Sequence, residues 1–153
     1  MNRRPEHPSH QVVLVSACLL GLPTRYDGAD CRREQVLAMV RGLHAVPVCP
    51  EQLGGLATPR SPSEIVCGSG RDVIGGRSQV VAADGTDVTA QFLRGARAVA
   101  ELARLCGARR AILKEGSPSC GVSRIERAGE RIEGEGVTTA LLRRKEVEVE
   151  GIE

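Results

Sequence analysis

The stretch Gln11-Val-Val-Leu-Val-Ser-Ala17 is a short β-branched run that stops at Cys18. Unbroken rather than alternating apolarity marks a strand buried on both faces, and such strands belong to parallel sheets. After it, Leu19 to Asp30 (LLGLPTRYDGAD) reads as a Gly/Pro/Asp loop. Asp30 can cap a helix over about Cys31 to Gly42, with Val36, Leu37 and Val40 inward. A second strand, Ala45 to Val48, stops at Cys49, and a third, Ala108 to Lys114, runs into Glu115-Gly-Ser-Pro-Ser-Cys120-Gly121.

The remaining segments fit around these strands. Pro50 to Gly70 is too rich in Pro and Gly for a regular element, and a loop that long is usually functional. Asp72 to Ile74 and Ser78 to Ala82, joined by Gly75-Gly76-Arg77, predict a β-hairpin. Thr89 to Cys106 carries the clearest helical stripe (Phe92, Ala96, Val99, Ala103), with Asp87 or Thr89 as its cap and Gly107 as its stop. Val122 to Glu133 is polar and charged. Val137 to Lys145 reads as a last helix and Val147 to Gly151 as a last strand. Gly134 to Thr138, at a helix start, offers either an anion site or a plain helix cap.

Strands alternating with helices predict an α/β fold: one small Rossmann-like domain over residues 11–153, mostly parallel sheet with flanking helices and a β-hairpin excursion. Residues 1–10 read as a flexible tail. At 153 residues the chain buries enough surface to fold without disulfide staples.

A net charge of +2 is too mild for a nucleic-acid partner, and with Tyr26 and Phe92 the only such rings, base stacking is not on offer. The apolar runs are too short for a membrane span, and Met1 to His10 has no signal-peptide core, so a cytoplasmic location is expected. In that compartment the six cysteines read as thiols or metal ligands.

In parallel sheets, ligands bind beyond the carboxyl ends of the strands. Three strands end within a residue, or a short loop, of a cysteine, which predicts that Cys18, Cys49 and Cys120 share one rim. Cys31 (starting a helix), Cys106 (ending one) and Cys67 (in the long loop) fall outside this pattern. Structural zinc would take four N/S ligands, and no CxxC pair or well-placed histidine supplies the fourth. Thiolates also suit an iron–sulfur cluster, which ordinarily takes four cysteines, so three leave one iron open. The residues alone leave an iron–sulfur centre, a zinc site and buried structural thiols all standing, and with them a non-catalytic sensor or sulfur carrier.

Val15-Ser-Ala-Cys-Leu-Leu-Gly21, Arg25-Tyr-Asp-Gly28, Pro47-Val-Cys-Pro-Glu-Gln-Leu-Gly-Gly55, Thr58-Pro-Arg60 and Ser117-Pro-Ser-Cys-Gly121 resemble the bacterial thiouracil desulfurase family. Gly85 to Ala96 and Gly136 to Leu142 look like further blocks of it. The resemblance implies a 4Fe-4S cluster with three cysteine ligands, Cys18, Cys49 and Cys120, and one open iron. It implies non-redox removal of sulfur from a small thiolated pyrimidine, such as 2-thiouracil or 4-thiouridine monophosphate, with Glu51 and Ser117 in the acid–base positions. Tyr26, Arg60, Lys114 and Ser119 are the candidate substrate-binding residues; Lys114 suits a phosphate or a pyrimidine oxygen, and Arg60 a phosphate. The chain departs from the family after Gly121, where Arg124 to Glu133 is shorter and more charged than the usual segment.

Overall fold

The computed structural model describes residues 11–153; the expected tail, residues 1–10, lies outside them. Val12–Ser16 (β1), His44–Val48 (β2), Arg110–Lys114 (β5) and Glu148–Ile152 (β8) form one sheet in the order β2-β1-β5-β8, all parallel. Side chains alternate across this sheet, which is why the central strand β1 and the middle of β5 are apolar on both sides, whereas the edge strand β8 (Glu-Val-Glu-Gly-Ile) keeps its glutamates exposed. Leu14, Ala111 and Leu113 face a core completed by Val99, Ala103 and Leu142. Val13, Val15 and Ile112 face the other way, against Leu19 and Val36.

The first face is covered by Thr89–Cys106 (α4) and Val137–Arg144 (α5). Thr89 N–H donates to Asp87 Oδ1 at 2.9 Å, and Gly107 closes α4 at φ +68°. On the second face the helix expected from Cys31 is only Glu34–Met39 (α1). The cause is local. Cys31 N–H goes to Cys18 O (2.9 Å) and Arg33 N–H to Leu19 O (3.0 Å), so residues 31–33 run extended along the Ala17–Leu20 3₁₀ turn. Asp30 makes a turn, accepting Arg32 N–H, instead of capping the helix.

The segment expected to be an irregular loop contains Pro50–Leu53 (α2) and Ser63–Ile65 (β3) and leads into Gly70–Ile74 (α3). The expected hairpin is corrected accordingly. Val80–Ala82 (β4) pairs antiparallel with β3, and Asp72 to Ile74 is helical. Asp72 sits three residues after Ser69 and accepts its N–H at 2.8 Å, the capping arrangement that favours a helix start over a strand. The charged segment folds as a second hairpin, Arg124–Arg127 (β6) with Glu130–Glu133 (β7).

One close approach sets the position of α2. A Cβ on Gly54 would lie 2.0 Å from Gln91 O, and one on Gly95 would lie 1.9 Å from Pro50 O. The two backbones therefore touch, which only paired glycines allow. Among the described residues, no helix is long and apolar enough to cross a membrane.

Candidate metal centre

Parallel pairing brings the carboxyl ends of β1, β2 and β5 to one edge, and each hands over to a cysteine there. Cys18 lies in the 3₁₀ turn after β1, Cys49 just before α2, and Cys120 in the loop after β5. All three line a cleft of about 270 Å³, together with Tyr26, Glu51, Arg60, Lys114, Ser117 and Ser119. Every predicted site residue is at this rim. Cys67 and Cys106 are exposed and away from it.

The thiols are set among low-dielectric surroundings. Burial pushes Cys120 up to about 12, opposed by hydrogen bonds from Ser16 and Ser119. Burial also lifts Cys18 to about 12, helped by Cys31 and Cys49 and opposed by Lys114. Cys49 rises for the same first reason, with Arg60 pulling it down. Burial is the first cause at all three, and charge on Cys18 and Cys49 adds to it at Cys120. A multiply charged metal centre reverses that balance by taking thiolates.

The donor set fits an iron–sulfur cluster: all sulfur, sheltered, with Lys114 and Arg60 near the accumulated charge. Among the described residues, no group of three or more His, Cys, Asp or Glu side chains is gathered to hold a metal ion. Thiolates sharing one zinc stand about 4 Å apart, because each Zn–S bond is about 2.3 Å. A cluster receives each thiolate on a different iron, and so asks for a wider spread.

Beside the thiols runs a chain of polar contacts. Glu51, in the first turn of α2, accepts Arg60 Nε–H on Oε1 (3.2 Å) and Ser119 Oγ–H on Oε2 (3.2 Å). Ser119 Oγ lies 2.9 Å from Ser117 Oγ and 3.7 Å from Cys120 Sγ. Glu51 and Arg60 are nearly buried, their side chains 14% and 7% exposed. A buried pair of this kind is costly to break from one side.

Ser117 Oγ accepts the N–H groups of Ser119 and Cys120, both at 3.1 Å, forming the turn that presents Cys120. Arg60 was expected to meet a phosphate. Its N–H groups go to Glu51, to Ala57 O (3.3 Å) and Thr58 Oγ1 (2.8 Å) through Nη1, and to Thr24 O (2.9 Å) through Nη2. Lys114 Nζ donates to Glu115 O at 3.1 Å. Tyr26 is partly exposed at the mouth, with the Arg25 guanidinium 5.7 Å from its ring centre. The Gly134–Thr138 segment is a cap and not an anion site: its N–H groups go to the cysteine loop, Gly136 to Gly121 O (2.8 Å), Val137 to Pro118 O (2.9 Å) and Thr138 to Ser119 O (2.9 Å).

Two residues escaped the sequence reading. Glu115 is buried, and its Oε1 accepts the N–H groups of Val122 (2.6 Å), Ser123 (3.0 Å) and Arg124 (3.3 Å), folding the loop that carries Cys120. A carboxylate one residue past the buried run Ala111-Ile-Leu113 is the signal that could have revealed it. Cys31, set aside as the start of a helix, also lines the cleft.

The sequence profile of a family described as 2-thiouracil desulfurase matches residues 13–152. The Bacillus subtilis (strain 168) protein YbbK, described as uncharacterized, is 44% identical over 135 residues, 86% of this chain and 89% of its own. A solved structure described as the [4Fe-4S]-dependent thiouracil desulfidase TudS superposes with a TM-score of 0.80 at 43% identity, covering 92% of this chain and 90% of that one.

Proposed function

Because this chain belongs to the 2-thiouracil desulfurase family, we propose that it replaces the sulfur of thiolated uracils by oxygen, with release of sulfide and no net redox change. The substrates are 2-thiouracil and 4-thiouridine monophosphate. Cys18, Cys49 and Cys120 hold a 4Fe-4S cluster, leaving one iron without a cysteine from this set. When bound, the cluster supplies a soft Lewis acid that polarises a carbon–sulfur double bond.

The observation that carries this reading is the Glu51 carboxylate, one hydroxyl away from Cys120 Sγ through Ser119. A structural metal site has no use for such a neighbour. Arg60 fixes Oε1, so Glu51 presents Oε2 to the cleft side, where Ser119 already bonds it. Glu51 is the general base: it takes a proton from the water that attacks the ring carbon. As the carbon–oxygen bond forms and the carbon–sulfur bond breaks, Glu51 returns that proton to the departing sulfur. Once the proton is on sulfur, Glu51 takes the second water proton from the carbon-bound hydroxyl as the carbon–oxygen double bond forms, so the sulfur leaves as hydrosulfide and Glu51 then gives that proton up to solvent. Ser117 holds Ser119 and the cysteine turn in place, and Arg60 acts as a positioning residue for Glu51. Tyr26 and Lys114 border the space left for the pyrimidine.

Anaerobically loaded protein given 2-thiouracil should lose the thione absorbance and release one sulfide per uracil formed. Glu51→Gln, with its iron content intact, should turn over at least about a hundredfold more slowly. Wild-type turnover in that variant would remove Glu51 from the mechanism.

A further inference from the structure

The β6–β7 hairpin is the segment in which the sequence departs from the family's usual pattern, and it borders the cleft. Two of its charged side chains, Glu126 and Arg131, line the space beside Lys114, Gly116 and Ser117. Gly116 N–H donates to Arg124 O and Glu126 N–H to Gly116 O, both at 3.0 Å, which ties the hairpin to the loop after β5. A Cβ on Gly116 would lie 3.0 Å from both Cζ and Nη2 of Arg131. The guanidinium therefore takes the place a side chain at 116 would fill, next to Ser117. Glu153 Oε2 accepts from its Nη1, and Glu126 Oε1 stands 3.7 Å from its Nε. Nη2 has no hydrogen-bond partner among the described residues. Lys114 Nζ donates only to Glu115 O and meets no carboxylate among them.

Resting on the desulfurase reading above, we propose that Arg131 is a specificity-determining residue: with Lys114 it holds the phosphate of a thiolated nucleoside monophosphate, favouring the nucleotide over the nucleoside. A guanidinium and an ammonium on one cleft suit a group with three oxygens and up to two negative charges. Glu126 and Glu153 fix two edges of the guanidinium and leave the third to the phosphate. A carboxylate on the pyrimidine ring fits less well. Arg131 is open to solvent, its side chain 37% exposed, whereas Cys120, beside which the sulfur is taken, is 5% exposed. A sugar supplies the reach between the two.

The test uses anaerobically loaded wild type, Arg131→Ala, Arg131→Lys and, as a control, Arg104→Ala, at an exposed arginine of α4 outside the cleft. Each is given 4-thiouridine 5′-monophosphate and 4-thiouridine, and kcat/KM is read from the loss of thione absorbance at equal iron content. The ratio of nucleotide to nucleoside should fall about tenfold or more in Arg131→Ala, through KM and not kcat. It should fall less in Arg131→Lys, which keeps the charge without the fork. Arg104→Ala should keep the wild-type ratio. A wild-type ratio in Arg131→Ala would overturn the proposal, as would a wild type that acts on 2-thiouracil alone. Calorimetry with the product, uridine 5′-monophosphate, reads the contact without turnover: its Kd should rise about tenfold or more in Arg131→Ala relative to that of uridine. An equal rise for uridine would mean a general loss of the pocket's shape and would also overturn the proposal. No desulfuration of any of these compounds by loaded wild type would instead sink the reading on which the proposal rests.

Discussion

Two loops bring cysteines to the same cleft, and they are built in opposite ways. The loop of residues 115–123, carrying Cys120, is closed from within. Glu115 gathers three N–H groups, Ser117 two more, and the start of α5 takes its carbonyls. The loop of residues 21–33, carrying Cys31, is mostly exposed and braced by surface contacts: Asp27 with Ala29 N–H (3.0 Å) and with Arg25. Both use a carboxylate to satisfy backbone donors. Only the first does so away from water, where an unmade hydrogen bond is expensive. One side of the pocket is therefore a buried wall and the other an exposed mouth.

Four substitutions probe that contrast, and the largest effect is expected at the wall. Cys120→Ala should abolish both iron retention and desulfuration, read by iron analysis and thione absorbance; retained iron would show that this loop is not essential to the centre. Glu115→Ala should lower unfolding stability by about 1–3 kcal/mol, since it strands the buried Val122 N–H and frees two part-buried donors beside it. An unchanged urea midpoint would mean that the loop holds its shape by other means. Gly136→Ala, whose Cβ would fall 2.4 Å from the Ser119 carbonyl carbon, should cost about 1–3 kcal/mol through overpacking. Its thermal melt and iron content should fall together, because the strain bears on the residue beside Cys120. At the mouth, Asp27→Ala should leave the melting temperature at the wild-type value. A clear drop there would end the distinction between wall and mouth.

The regular scaffold was legible because its physics is local. β1, β2, β5 and β8, and the helices α4 and α5, begin and end within about two residues of the places their apolar patterns indicate. α2 and β3 were not legible, since Pro50 and the Gly54–Gly55 pair look like a loop until α4 is present for Gly54 to pack on. The hairpin partner was misassigned for a similar reason: β4 pairs with β3, fifteen residues before it, and strand pairing at that range leaves no local trace.

At the site, Cys18, Cys49 and Cys120 could be grouped from the sequence because a parallel sheet sends its carboxyl ends to one edge whatever the loops do. The motif around Glu51 made that residue a candidate in the same way. Its partners are a tertiary matter. Arg60 reaches it across nine residues and Ser119 across sixty-eight, and only packing brings those atoms within 3.2 Å. Cys31 shows the limit most clearly. The sequence reading makes it the start of a helix, yet two backbone hydrogen bonds to the turn at Cys18 and Leu19 draw it into the cleft. Hydrophobic periodicity records which face of an element is buried. Where a side chain points once a loop has traded its helical hydrogen bonds for long-range ones is decided only in the folded chain.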